Sequence, residues 1–113
     1  MSIELVDSSK HFEVQHPSGA VFVLRYWTMG MQEEVERRCM IIAGKDIHYN
    51  TGLDREMKIE FSVVNWKGIV IEGVEAPCNP ENRKRLPVGV SIWLQKIIEE
   101  HAGLRITEEE KKN

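Results

Sequence analysis

The sequence predicts an α+β domain in which an N-terminal antiparallel β-hairpin packs on about three to four helices. Three observations predict it. Residues 11–27 alternate apolar and polar around a central turn, capping residues stand ahead of apolar runs farther on, and the last run is an amphipathic stripe that needs a surface to cover. A chain of 113 residues suits one core and is short for two, so residues 1–107 read as a single domain and residues 108–113 as a charged, solvated tail.

In the hairpin, Phe12, Val14 and His16 alternate with polar residues, and Pro17-Ser18-Gly19 supplies the turn. The return strand, residues 21–26, is rich in β-branched and aromatic residues. Val21 and Val23 point one way and Phe22, Leu24 and Tyr26 the other, as in a strand covered on both faces. Thr28 is the N-cap expected for a first helix whose apolar positions Met31, Val35, Arg38 by its stem, Cys39 and Ile42 recur at helical spacing, with an end near Gly44. Residues 45–53 are polar and aperiodic and read as a loop.

The next segment is ambiguous. Met57, Ile59, Phe61 and Val63 alternate as a strand would, whereas a helix capped by Asp54 and running to residue 67 places Met57, Phe61 and Val64 opposite Ile59, Val63 and Trp66. A central helix contacted on two sides satisfies that pattern, and Gly68 then stands where a helix-ending glycine belongs. Trp66 is expected in the core. Residues 69–76 form a connector of two short extended pieces around Glu72-Gly73. Asn79, Pro80 and Glu81 carry the cap, first-turn proline and first-turn acid of a short helix over residues 81–86. Pro87 opens the closing helix, where Val90, Trp93, Leu94, Ile97 and His101 share a face and Gln95, Lys96, Glu99 and Glu100 point outward.

Composition narrows the function classes. With 42% hydrophobic and 29% charged residues and no apolar run near ~18 residues, the chain has the make-up of a soluble protein. Met1-Ser2-Ile3-Glu4 lacks the basic and apolar regions of a secretory signal, so a cytoplasmic location is expected, with Cys39 and Cys78 as free thiols. His11, His16, His48, His101 and the two cysteines show no metal-ligand spacing, and neither cofactor nor metal is expected. Cys39 lies among apolar helix positions. Cys78 precedes a helix start, whose dipole lowers a thiol pKa, but no histidine or second charge stands beside it in sequence, so no catalytic residue is expected. The glycines fit neither phosphate-binding pattern. At a net charge of −3 the one local basic feature is Arg83-Lys84-Arg85, which supports a small nucleic-acid-binding module as the alternative reading.

Three stretches resemble a known family. Leu24-Arg25-Tyr26-Trp27-Thr28, Val63-Val64-Asn65-Trp66-Lys67-Gly68-Ile69, and Pro80-Glu81-Asn82 through Leu86-Pro87 are similar in order and spacing to tail assembly chaperones and related proteins of phage and prophage tail gene clusters. The likeness spans Phe12 to about His101; Cys78 and the basic triplet have no counterpart in it. It implies a non-enzymatic protein that holds a helical partner, the tape measure protein, until the tail tube forms around it, and needs no cofactor. The closing helix carries the cleanest apolar stripe, which nominates Trp93, Leu94 and Ile97 as partner-binding residues.

Overall fold

The computed structural model describes residues 1–104. It is an α+β fold with 40% helix and 26% strand. The expected tail, residues 108–113, lies outside the described residues.

The hairpin forms as its alternation requires: β1 (His11–Gln15) pairs antiparallel with β2 (Val21–Arg25), with Phe12 opposite Leu24 and Val14 opposite Phe22. Phe22 and Leu24 are buried, while Val21 and Val23 on the other face are half-buried. Thr28 caps α1 (Met29–Cys39), its hydroxyl oxygen accepting from the Met31 N–H at 3.2 Å. The helix stops at Cys39, short of Gly44, because β-branched Ile41 and Ile42 turn outward into an antiparallel pair. That pair is β3 (Met40–Ala43) with β4 (Asp46–Tyr49), joined through Gly44 at φ 64. A positive φ at the first residue of a two-residue hairpin loop favours glycine, which explains Gly44 without a helix end. The stretch expected to be a loop is therefore a strand and the start of a helix.

Asn50, not Asp54, caps α2 (Thr51–Ser62): its side-chain oxygen accepts from the Leu53 N–H at 3.0 Å. The expected two-sided burial holds. Ile59 packs into the main core with Phe22, Leu24 and Leu94, whereas Met57 joins Val35 and Cys39 of α1 in a second cluster that Phe61 flanks. The helix does not continue to residue 67. At Ser62 it becomes β5 (Val63–Lys67), which pairs antiparallel with β2 and completes a sheet of order β1-β2-β5. The alternation that competed with the helical pattern belongs to both: its first half is the helix and its β-branched end is the strand. A register shift between Val23 and Leu24 lets Val63 and Trp66 both turn inward. Gly68 thus ends a strand, not a helix. It sits at φ 82, where a Cβ would lie 3.3 Å from Ala20 Cα, so a side chain here would be strained and would have to push this turn off the first hairpin.

The connector holds a two-residue pair, β6 (Val70–Ile71) with β7 (Val74–Glu75), as its two expected extended pieces suggest. Asn79 then caps α3 (Pro80–Lys84), accepting from the Asn82 N–H at 2.8 Å, and α4 (Val88–His101) closes the domain over the sheet and α2.

Candidate functional site

On α4 the nominated residues divide. Leu94 is wholly buried in the main core, out of reach of any partner while the domain is folded. Trp93 and Ile97 are half-buried and packed on that core; the Trp93 ring lies edge-on to His16 with centroids 4.8 Å apart and 6.1 Å from Phe22. The apolar residues of α4 that face solvent are Val88 and Ile92, 68% and 50% exposed. Neither stood out in the sequence, because each falls beside the stripe that packs inward.

Val88 opens onto a groove of about 450 Å³ between α2 and the α3–α4 turn. Ile59, Leu86 and Val88 give it an apolar floor, and Arg55, Glu56, Lys84 and Ser91 supply its polar rim. On the rim the Lys84 ammonium stands 3.2 Å from Glu56. Concave, mostly apolar and polar at the edge, this is the shape expected of a recognition groove.

The basic triplet forms no continuous cationic surface. Arg83 is largely buried, pairs with Glu60 at 3.2 Å and donates to the Val63 carbonyl and to Cys78 Sγ, both at 3.4 Å. Its hydrogen bonds link α3 to α2 and β5. Lys84 and Arg85 are both exposed, and Lys84 is paired with Glu56. Phosphate recognition draws its strength from several free cations acting together, and two of these three already neutralise carboxylates.

The thiols sit in different settings. Cys39 is fully buried, and burial pushes its thiol above its ordinary range, as for an inert core residue. Beside half-buried Cys78 stands Arg83 rather than a histidine. Among the described residues no group of three or more histidine, cysteine or acidic side chains is placed to hold a metal ion.

Two features escaped the sequence reading. One is a buried polar network. Asp54 accepts from the Tyr49 hydroxyl at 2.6 Å and from Gln95 at 3.0 Å, Lys58 bridges Asp54 at 2.9 Å and Glu99 at 2.7 Å, and Arg55 donates to Gln95 at 3.1 Å. Gln95 and Glu99, expected to point to solvent, instead turn onto α2. The i,i+4 spacing of Asp54 and Lys58 was the available clue, and it was masked by the expectation of a cap at Asp54. The second feature is the β3–β4 arm, whose residues are all exposed although Met40, Ile41, Ile42, Ile47 and Tyr49 are large and apolar.

No protein-family profile matches the chain, and neither a curated protein nor a solved structure shows significant similarity to it.

Proposed function

We propose that this protein is a non-enzymatic assembly chaperone of the phage-tail kind, which holds an amphipathic helix of a tape-measure-like partner in the groove between α2 and α4. The observation that carries the reading is that groove. Its Ile59, Leu86 and Val88 floor suits apolar anchors spaced i, i+4 and i+7 on a helix, and Ile92 extends the apolar track along α4. Arg55, Glu56 and Lys84 put both signs of charge on the rim, where they select register rather than supply most of the affinity. The resemblance of residues 12–101 to tail gene cluster proteins adds to this support. A chaperone of this kind works in the cytoplasm and needs no cofactor; no helix among the described residues is long and apolar enough to cross a membrane.

The site differs from the one the apolar stripe suggests. Leu94 closes the core and Trp93 and Ile97 pack against it, so the contact falls to Val88 and Ile92. The test is co-expression with helical segments of a tape-measure-type protein encoded beside this one. A segment soluble only alongside the wild-type chain supports the reading. Val88→Asp with Ile92→Asp should abolish that rescue while leaving the thermal midpoint of the isolated chain within a few degrees, since both side chains face solvent. If no helical segment is rescued, or if the double variant rescues as well as wild type, the groove is not a chaperone site.

A further inference from the structure

The groove between α2 and α4 carries a charge that the domain itself leaves unbalanced. Three cations, Arg55, Arg83 and Lys84, line it against two carboxylates, Glu56 and Glu60, whereas the chain as a whole carries a net charge of −3. Both carboxylates are committed within the domain: Glu56 pairs with Lys84 and Glu60 with Arg83, each at 3.2 Å. Arg55 pairs with no carboxylate among the described residues. Its hydrogen bond goes to a neutral group, the Gln95 side-chain oxygen, 3.1 Å from Nε. An amide orients a guanidinium without cancelling its charge, and arginine keeps that charge throughout the physiological range.

The bond to Gln95 also fixes where that charge lies. The Gln95 amide nitrogen donates to Asp54 at 3.0 Å, and Asp54 is held in turn by the Lys58 ammonium at 2.9 Å, so buried partners turn the Gln95 oxygen toward Arg55. With Nε engaged, the two Nη groups of Arg55 keep N–H donors in the fork geometry that a carboxylate accepts. The side chain is half-buried, so a charge partner is worth more to it than to a fully solvated arginine. At the same groove α4 begins with neither a side-chain cap nor an acid in its first turn, and the partial positive charge of that helix start acts in the same sense.

Beside this cation lies the apolar floor. Ile59 is one helical turn beyond Arg55 on α2, and Leu86 and Val88 complete the floor. An inorganic anion has no use for such a floor, and a basic or wholly apolar helix would cover Arg55 without giving it a partner, at the cost of an uncompensated charge. We propose that Arg55 is the specificity-determining residue of the groove, and that it selects an amphipathic helix carrying an aspartate or glutamate three or four positions from the apolar anchor that meets Ile59. The spacing follows from a helix laid along α2, since one turn of the partner then matches the turn between Arg55 and Ile59. This inference rests on the chaperone reading of the groove and narrows its partner from any apolar helix to one with an acid at a fixed place.

The experiment is selection from a displayed library of helix-forming peptides, with leucine fixed at i, i+4 and i+7 and the other positions randomised. It is run on the full wild-type chain, on Arg55→Glu, and on Val88→Asp with Ile92→Asp. Peptides that bind the wild type but not the Val88 and Ile92 double variant occupy the groove. Among these, the wild type should enrich an acid three or four residues from a leucine, and Arg55→Glu should enrich lysine or arginine at the same position. Changing the acid of one selected peptide to lysine should raise its Kd for the wild type about tenfold and lower it for Arg55→Glu, and the gap should narrow at high salt. If Arg55→Glu fails to fold, Arg55→Gln should abolish the preference for the acid without reversing it. Groove-bound peptides with no acidic preference, or a preference that persists in the Arg55 variants, would overturn the role of Arg55 and leave the groove as a helix site. A library that yields no peptide sensitive to the Val88 and Ile92 double variant would overturn both readings.

Discussion

Trp66→Ala should destabilise the domain by about 3–5 kcal/mol, the cost of emptying a large aromatic site in a packed core. The residue is 3% exposed, lies edge-on to Phe22 with ring centroids 6.3 Å apart, and donates from its indole nitrogen to the Ala76 carbonyl at 2.7 Å. It therefore holds β5, β2 and the connector to one another. At about 4–8 °C per kcal/mol for a domain of this size, the thermal midpoint should fall by roughly 12–40 °C, or the variant should not fold at all. Trp66→Phe separates the two contributions. It keeps most of the apolar contact and removes the indole donor, leaving the Ala76 carbonyl to find another partner, and should cost about 1–3 kcal/mol. Denaturant unfolding followed by circular dichroism measures both. A Trp66→Ala variant within about 1 kcal/mol of wild type would mean that this residue does not join the sheet to the connector as described.

The burial of Trp66 was legible in the sequence, but its secondary structure was not. The apolar positions of residues 57–66 fit a two-sided helix and an alternating strand equally well, and the chain uses both in succession. Only the pairing with β2 decides where one gives way to the other, and that partner lies about forty residues away in sequence. The caps at Thr28 and Asn79 were readable because their chemistry is local. Asn50 was equally readable in principle, but Asn50-Thr51-Gly52 also matches a turn, and the turn reading hid both the cap and the strand before it. The arm was hidden for a different reason. Residues 40–43 are apolar, and an apolar run ahead of a glycine reads as buried helix unless its exposure is known. The α4 stripe located the core face: the strongest apolar periodicity marks what a helix packs against its own domain, and the exposed apolar residues Val88 and Ile92 lie at its margin. Polar and charged residues carried the least sequence information. Lys58, Gln95 and Glu99 look like solvated helix positions, and only the packing of α4 on α2 brings them together.

That packing buries the Lys58 ammonium between two carboxylates. Its side chain is 6% exposed and bridges Asp54 and Glu99, themselves 7% and 13% exposed. Lys58→Met keeps the apolar stem and removes the ammonium, so two carboxylates are left close together without their cation. Breaking a buried ion pair from one side costs about 3–5 kcal/mol, and a loss of that size is expected here at neutral pH. Removing the carboxylates as well, with Asp54→Asn and Glu99→Gln added to Lys58→Met, should recover much of the stability, since the cost lies in the uncompensated charge rather than in the missing contact. Alkali probes the same network in the unmodified protein. Burial by itself would lower the pKa of Lys58, but the hydrogen bonds to Glu99 and Asp54 outweigh it and hold the ammonium above the ordinary lysine value of 10.5. Burial, followed by the bond to the Asp54 carboxylate, likewise holds the Tyr49 hydroxyl well above its ordinary 10.0. Both groups keep their protons in the folded state at a pH where the unfolded chain gives them up. The stability they contribute is therefore complete below about pH 10 and declines as pH rises through their folded values. Urea unfolding midpoints measured between neutral pH and about pH 11 should fall above pH 10 in the wild type and fall less in Lys58→Met with Tyr49→Phe. Equal slopes in the two proteins would place the alkaline loss elsewhere and remove Lys58 and Tyr49 as its source.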